Sequence, residues 1–577
     1  MKIKLAKTAG FCMGVHRAVD MVLDVANSHP PPIYTLGSLI HNPQVLEILA
    51  QKGISILNDP AEAPPGTVVI RAHGISPQTK KALVDAGFTI IDATCPRVIK
   101  VQRIIAKYAG QDYGVIIVGD ENHPEVVGLL GFAEGQGYIV NQPSDLAQVP
   151  RLENAIIVAQ TTQDGKRFEA VVSTVKRRFP NAKVFNTICD STRERQAEVR
   201  EMAQGVDAIL VVGGHNSGNT QRLAQVVEQE GVRAFHIESE AEVDFSAIKD
   251  AQAVGVTAGA STPNWVIKKV YRTLETLPNS TKGQWRQVIF KLQRWLLLSN
   301  VYLALGAGCL SYTCALLSGI SPSLPAAVMA GCYVLSMHIL NNFIGKEAVR
   351  YNDPDRASFY EYYQGILVTL AVLSGATGLF MAFLLGAVPF ALLGIISVFG
   401  LLYKVKLFPN WLKLGEKIQR ISDIPGSKTV LIAMAWGVVT AVLPHLSQRL
   451  QLTTDILFIT FLASVIAFVR TAFFDILDMQ GDRLVGQGSL PIVIGEKRAL
   501  SLLKQLLMFT MAICLFAPIM NLASSLAYGL ILSIFYLGWV IQAFERHWIV
   551  PGFKFEFLVE TVFPFSAAVS LLWQLLA

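Results

Sequence analysis

Three cysteines in the first half of the chain share one local setting. Cys12 lies in "AGFCMGVHRAV", Cys95 in "DATCPRVIKV" and Cys189 in "NTICDSTRERQ", each on a turn between a strand-like run and a helical one. A thiol on such a turn can serve as a metal ligand or a nucleophile, yet no C-x-x-C pairing accompanies any of them. They are 83 and then 94 residues apart, about one small α/β unit each. That spacing predicts three similar units whose strand ends converge, an architectural repeat without sequence repetition. The plain alternative is that these are buried structural cysteines. Other polar residues at predicted strand ends weigh against it: His41 in "LIHNPQV", His73 in "RAHGIS", His123 and Glu125 in "ENHPEVVG", Thr161 and Thr162 in "AQTTQD", Ser217 and Asn219 in "HNSGNTQRL", and Ser261 in "GASTPN". One histidine so placed is ordinarily structural. Several, gathered with convergent thiols, read as a site.

The elements that must position them are strands alternating with helices. "TVVIRAHG" precedes "SPQTKKALVDAG", where Ser76 can cap, Pro77 suits a first turn and Gly87 can end the helix. "FTIIDATCP", "YGVIIVGD", "AIIVAQTT", "DAILVVGG" and "AVGVTAGAS" follow, each with a helical stretch nearby. This alternation predicts α/β layers with largely parallel sheets. Met1 to Phe11 carries lysines without an apolar run behind them, so no secretory signal is expected and the first half is expected in the cytosol. There, widely spaced thiols predict no disulfide framework. The formal net charge of +6 falls largely between apolar segments of the second half, which argues for a lipid setting and against nucleic acid.

"GFCMGVHRAV", "IHNPQV", "AHG", "DATCP", "HPEVVG", "QTT", "NSGNTQRL" and "GVTAGASTP", in that order, resemble the 4-hydroxy-3-methylbut-2-enyl diphosphate reductase family, also called LytB or IspH, over residues 1–277. The resemblance implies a three-lobed α/β domain around a central 4Fe-4S cluster held by Cys12, Cys95 and Cys189. It implies His41, His73, His123, Ser217, Asn219 and Ser261 as diphosphate partners. Ser217 and Ser261 each precede a helical run, where free N–H groups favour anions. Where many relatives carry a second serine this chain has Gly218, so a backbone contact is expected there. Glu125 is the expected proton donor, assisted by Thr161 and His123. Thr162 is adjacent, and Thr161 is preferred. No flavin or nicotinamide fingerprint is present, so the electron donor is not encoded here; the resemblance implies a ferredoxin or flavodoxin.

From Leu296 onward nine apolar segments follow, at about 296–318, 323–343, 365–385, 387–403, 429–447, 455–473, 505–521, 523–543 and 557–576. Most match the bilayer core, and the fourth is marginal. Lys346, Arg350, Arg356, Lys404, Lys406, Lys413, Lys417, Arg420, Lys428, Arg483, Lys497, Arg498, Lys504, Arg546 and Lys554 all fall on one side of this arrangement, and only Arg449 on the other. The positive-inside rule then places the first half and these loops in the cytoplasm. After the sixth segment, "DILDMQGDRLVGQGSLPIVIG" puts Asp475, Asp478 and Asp482 at i, i+3 and i+7, one helix face able to hold Mg2+ against a diphosphate. This resembles the second aspartate-rich motif of the UbiA prenyltransferase superfamily, which implies a prenyl diphosphate ligand. The first motif departs: "NNFIGKEAVRYNDPDR" keeps Asn341 but has Asn342, Gly345 and Val349 at the acidic positions, with Asp353 and Asp355 as shifted substitutes.

The expected architecture is therefore an iron-sulfur reductase domain at 1–277, a polar linker at 278–294 ("LPNSTKGQWRQ") and an all-α, nine-span UbiA-like domain at 295–577. Two further readings stay open: a bifunctional reductase and Mg2+-dependent prenyltransferase, or a reductase on a non-catalytic membrane scaffold.

Overall fold

The computed structural model describes residues 1–277, 284–403 and 420–576. The chain divides into two units, Met1–Asn279 and Ser280–Ala577.

The first unit holds three four-stranded parallel sheets. The first joins Lys2–Leu5, Ala253–Ala258, Ala208–Val212 and Arg233–Ile237 in that order, so the ends of the chain segment share one sheet. The second runs Ile54–Leu57, Ile33–Leu36, Thr67–Ile70, Thr89–Asp92, and the third Gly137–Val140, Gly114–Val118, Ala155–Ala159, Lys183–Val184. Parallel strands covered on both faces read as unbroken apolar runs. "GVIIV", "AIIVA" and "AILVV" are buried at every position. In each sheet a strand end leads through a short turn into a helix, and ligand sites in such folds lie beyond those ends. The three predicted lobes are present.

Every regular element among the described residues of the second unit is a helix. Six helices are long and apolar enough to cross a membrane, and up to eight if two bent pairs each count as one span. Nine segments were expected. The first, Gln287–Leu298 with Val301–Leu317, bends by 74°, and the last, Phe553–Glu560 with Val562–Leu576, by 40°. The fourth, Ala387–Leu402, has 16 residues, about 24 Å of helix against roughly 30 Å of hydrocarbon. By contrast, Thr454–Val485 runs for 32 residues, about 48 Å, and carries the three aspartates in its last third. Neighbouring spans approach closely at small residues: a Cβ on Gly331 would lie 3.0 Å from the Ala304 carbonyl and one on Gly308 3.1 Å from that of Ala327.

The expected linker covers residues 278–294. Residues 278–283 lie outside the described residues, but Gln284–Leu298 is a helix. Past Gly283 no Gly or Pro interrupts it, and apolar residues recur at helical spacing. Phe290, Leu297 and Leu298 pack with Phe553, while Trp285, Val288, Ile289, Leu292 and Trp295 are exposed. Of the charge asymmetry, Lys404, Lys406, Lys413 and Lys417 also lie outside the described residues.

Candidate functional site

Each of the three cysteines is the N-cap of a helix: Cys12 of Met13–Ser28, Cys95 of Pro96–Ala109 and Cys189 of Asp190–Ala203. None uses its side chain to cap. Instead each is suspended by its backbone. The N–H of Cys12 donates to Ala260 O, that of Cys95 to Ala72 O and that of Cys189 to Thr161 O. In every case the acceptor stands two residues past the end of a strand, at Ala258, Ile70 and Ala159 respectively. The next residues along are Ser261, His73 and Thr162. One repeated device thus ties each thiol to a loop that carries a polar candidate of the site.

The thiols are free and half-buried. Burial pushes the Cys95 thiol up, and the neighbouring Cys12 and Cys189 push it further. Gly14 makes room for them, since a Cβ there would lie 2.6 Å from Cys95 Sγ and 4.0 Å from Cys12 Sγ. Gly10, with φ of +112°, turns the chain into this position. Among the described residues, the trios with ligand atoms all within 4.8 Å are His41, His73 and His123, and His215, Glu238 and Glu242. The thiols are spaced more widely. Around a single Zn2+ with Zn–S of about 2.3 Å they would stand roughly 3.8 Å apart. Their donor set suits a larger polynuclear group.

The three histidines form a cup, with ring centroids 5.0 Å apart for His41 and His73, 5.3 Å for His73 and His123 and 6.2 Å for His41 and His123. Burial lowers all three from their ordinary range, helped by their mutual repulsion and by Arg71, and His123 falls to about 4. His123 Nδ1 accepts from the Glu125 N–H at 3.1 Å, so the neutral ring carries its proton on Nε2. Nε2 looks toward Gly218, where a Cβ would lie 3.2 Å away. Gly218 opens the helix Gly218–Gln229, capped by Ser217. Ser261 Oγ donates to Ser217 Oγ at 3.2 Å, and lies 3.2 Å from His41 O as well. His41 Nε2, His73 Nδ1 and Asn219 Nδ2 are buried with no partner. Buried, unpartnered polar nitrogens gathered at a helix N-terminus suit an anion.

Glu125 is 1% exposed. Its carboxylate accepts from the Thr161 backbone N–H at 2.7 Å and from the Thr161 hydroxyl at 2.8 Å. Both bonds favour ionisation, but burial outweighs them and raises the group to about 7. Thr162 is turned elsewhere, accepting from Gln160 Nε2 at 2.9 Å. The structure therefore separates the two threonines that the sequence left adjacent.

Two residues had escaped notice. Arg71 stands beside the histidine cup, and its only sequence signal was its place two residues before His73. Arg195 is buried, interacts with Cys12 and Cys189, and donates to Gly10 O. It lies on the helix that Cys189 opens, at a distance no motif marks. The second trio is accounted for locally: the His215 N–H donates to Glu238 Oε1 at 2.6 Å and the Glu238 N–H to Glu242 Oε2 at 3.0 Å, closing the loop before Ser217.

In the second unit, Asp475 accepts from the Thr429 hydroxyl and Asp482 from Asn352 Nδ2, the latter at 2.7 Å. Lys428 faces Asp475, Asp482 and Asp478. The shifted substitutes are engaged with arginines: Asp353 accepts from Arg356 Nε at 3.2 Å and Asp355 from Arg294 at 3.4 Å. Arg356 also pairs with Glu556. The side chain of Asn342 donates to Tyr360 at 3.0 Å.

Residues 3–275 match the model of the LytB protein family. A 4-hydroxy-3-methylbut-2-enyl diphosphate reductase of Geobacter sulfurreducens is 41% identical over 283 residues, 49% of this chain and 100% of that protein. The one of Alkaliphilus oremlandii is 39% identical over 279 residues, again covering 100% of it. Among solved structures, the E-1-hydroxy-2-methyl-but-2-enyl-4-diphosphate reductase from Plasmodium falciparum is 30% identical and covers 48% of this chain and 90% of that one, with a TM-score of 0.47. The apo structure of a UbiA homolog from Aeropyrum pernix K1 is 17% identical, covering 47% of this chain and 98% of that one, with a TM-score of 0.35. With whole relatives matched at that identity and this chain's three-lobed first unit carrying the motifs in order, the chain belongs to the LytB family of reductases.

Proposed function

We propose that the first unit removes the hydroxyl of 4-hydroxy-3-methylbut-2-enyl diphosphate as water, using two electrons and two protons, and releases isopentenyl and dimethylallyl diphosphates. The observation that carries this reading is the buried Glu125 carboxyl, bound through both oxygens to Thr161, whose carbonyl in turn holds the Cys189 N–H. A proton store and a redox ligand are joined through one residue.

A 4Fe-4S cluster fits the donors: three free thiols at helix N-termini, spaced beyond a single-metal trio, with Arg195 beside two of them. When bound, it supplies electrons and an open iron as Lewis acid for the hydroxyl oxygen. The chain's own residues do the rest. Ser217, Asn219, Ser261 and the backbone at Gly218 receive the diphosphate, with His41, His73 and His123 donating from the opposite side. Lacking a charge of their own, the neutral histidines bind through N–H groups, and an arriving anion favours their protonation. Glu125 keeps its proton up to about pH 7 and delivers it, oriented by Thr161.

The test is anaerobic purification of the full chain, iron and sulfide analysis, and turnover with a chemical reductant. Iron and sulfide in equal amounts near four per chain, with hydroxyl loss from the substrate, are expected. Cys95→Ser should lose iron. A Cys95→Ser protein with a normal iron content would overturn the ligand assignment.

The second unit is read as a UbiA-like domain that places the reductase at the membrane, with the reductase on the cytoplasmic side. Asp475, Asp478 and Asp482 are proposed to hold Mg2+ with a prenyl diphosphate. Asp353 and Asp355 are held by arginines and the first-motif acids are replaced, which supports binding without transfer.

A further inference from the structure

The helix Pro96–Ala109, which Cys95 opens, carries Arg97, Lys100, Arg103 and Lys107 and no acidic residue. All four are exposed. At about 100° per residue they fall within an arc of roughly 120°. The opposite face is core: Val98, Val101, Ile105 and Ala109 are buried against the third sheet's Val115, Ile117, Ile156 and Val158. Arg97 is the member already paired, to Asp190 at 2.7 Å, and Asp190 is shared with Arg193. Lys100 also faces Asp190, Arg103 makes no ion pair among the described residues, and Lys107 lies over the Tyr108 ring. A single-sign stripe of this kind does not stabilise its own helix, since like charges at i and i+4 repel. It starts at the half-buried thiol proposed to ligate the cluster and extends about 15 Å along the surface.

We propose that this face docks a small acidic protein carrying a low-potential one-electron centre, bringing that centre to the Cys95 side of the site. The proposal rests on the reductase reading. Each docking event delivers one electron. Two electrons, with two protons, accompany cleavage of the substrate's C–O bond, and the hydroxyl leaves as water. Two carriers are oxidised per turnover. Complementary charge across such a face raises the association rate and makes it sensitive to salt.

The experiment uses the cluster-loaded full chain in detergent, with an acidic ferredoxin as the probe. Its affinity is measured by titration and its KM by turnover, in parallel with turnover driven by dithionite and methyl viologen. In K100E/R103E/K107E, the ferredoxin Kd and KM should each rise by about tenfold or more. Dithionite-driven turnover should stay within about twofold, because these side chains touch no part of the site. Salt should weaken ferredoxin binding to the unaltered chain and should not weaken it in the charge-reversed variant, where it screens a repulsion. If charge reversal impairs folding, K100Q/R103Q/K107Q gives the same comparison with a smaller shift. An unchanged ferredoxin Kd, or parallel loss of dithionite turnover in the neutral variant, would overturn the proposal. Absence of dithionite turnover in the unaltered chain would instead defeat the reductase reading, and the titration would still decide the surface.

Discussion

Glu125 illustrates how much of the site depends on which influence wins. Two hydrogen bonds from Thr161 favour the carboxylate, and burial favours the acid by more, leaving the group near 7. In the proposed reaction Glu125 acts as the acid, so turnover should fall as pH rises past about 7. Glu125→Gln keeps the shape but not the proton, and should cut turnover by about a hundredfold or more while iron content stays normal. A near-normal rate would remove its role as acid. The same group sets a stability trend of definite sign. Between 4.5 and about 7 only the folded state holds the proton, so its contribution to stability falls as pH rises through that window and is flat above it. Urea midpoints of the two proteins should diverge accordingly, with the glutamine variant gaining relative stability toward alkaline pH. Gly14 offers a second test. A methyl group 2.6 Å from Cys95 Sγ is inside contact distance, so Gly14→Ala should displace that thiol and lower bound iron, read by absorbance and iron analysis. The sequence exposed Glu125, the histidines and the thiols by type and motif order. It favoured Thr161 over Thr162 without being able to separate their hydroxyls, because neighbours on a loop point apart for reasons of backbone geometry that only the fold supplies. Arg71 and Arg195 were silent for a similar reason: arginine is ordinarily a surface residue, and no spacing ties either one to its distant partners.

At the scale of elements, strand and helix were legible because their periods differ and because fully buried parallel strands leave runs such as "GVIIV". Apolar length alone misjudged the spans. It could not register the 74° bend after Leu298 or the short reach of Ala387–Leu402. It also hid a helix inside the expected linker. Gln284–Leu298 leaves Trp285 79%, Val288 59%, Ile289 55% and Leu292 55% exposed. Each such side chain in water forgoes about 1.5 kcal/mol or more of burial, so a free aqueous face is the costly placement. An apolar stripe on a helix that turns sharply into the first span fits the water–lipid boundary. In vesicles of brominated lipid, Trp285 should be quenched most by bromines placed near the headgroups. The difference between the unaltered chain and Trp285→Phe isolates its signal. Equal signals with shallow and deep bromines would place this helix elsewhere.

For the whole molecule, the question is what the second unit does once it has met the bilayer. Its aspartates on Thr454–Val485 lie beyond the length of helix that hydrocarbon requires. They face Lys428, a built-in cation. Ionising a prenyl C–O bond demands that charge developing on the diphosphate be neutralised, and one acidic cluster already shared with a lysine gives less Mg2+ for that task than two clusters would. Holding an intact Mg2+–diphosphate demands less. Asp475→Asn with Asp478→Asn should therefore abolish Mg2+-dependent binding of a long prenyl diphosphate to the purified full chain in detergent. Dithionite-driven reductase turnover should continue, because every residue assigned to that reaction lies between Cys12 and Ser261. Lys428→Met should act in the opposite direction, strengthening Mg2+ binding by freeing the carboxylates from their internal counter-ion. Transfer to any of a panel of aromatic or lipid acceptors, lost in the double variant, would make the chain bifunctional. Absence of both transfer and Mg2+-dependent binding would leave the second unit as an anchor, and the reductase would then owe it only its place at the membrane.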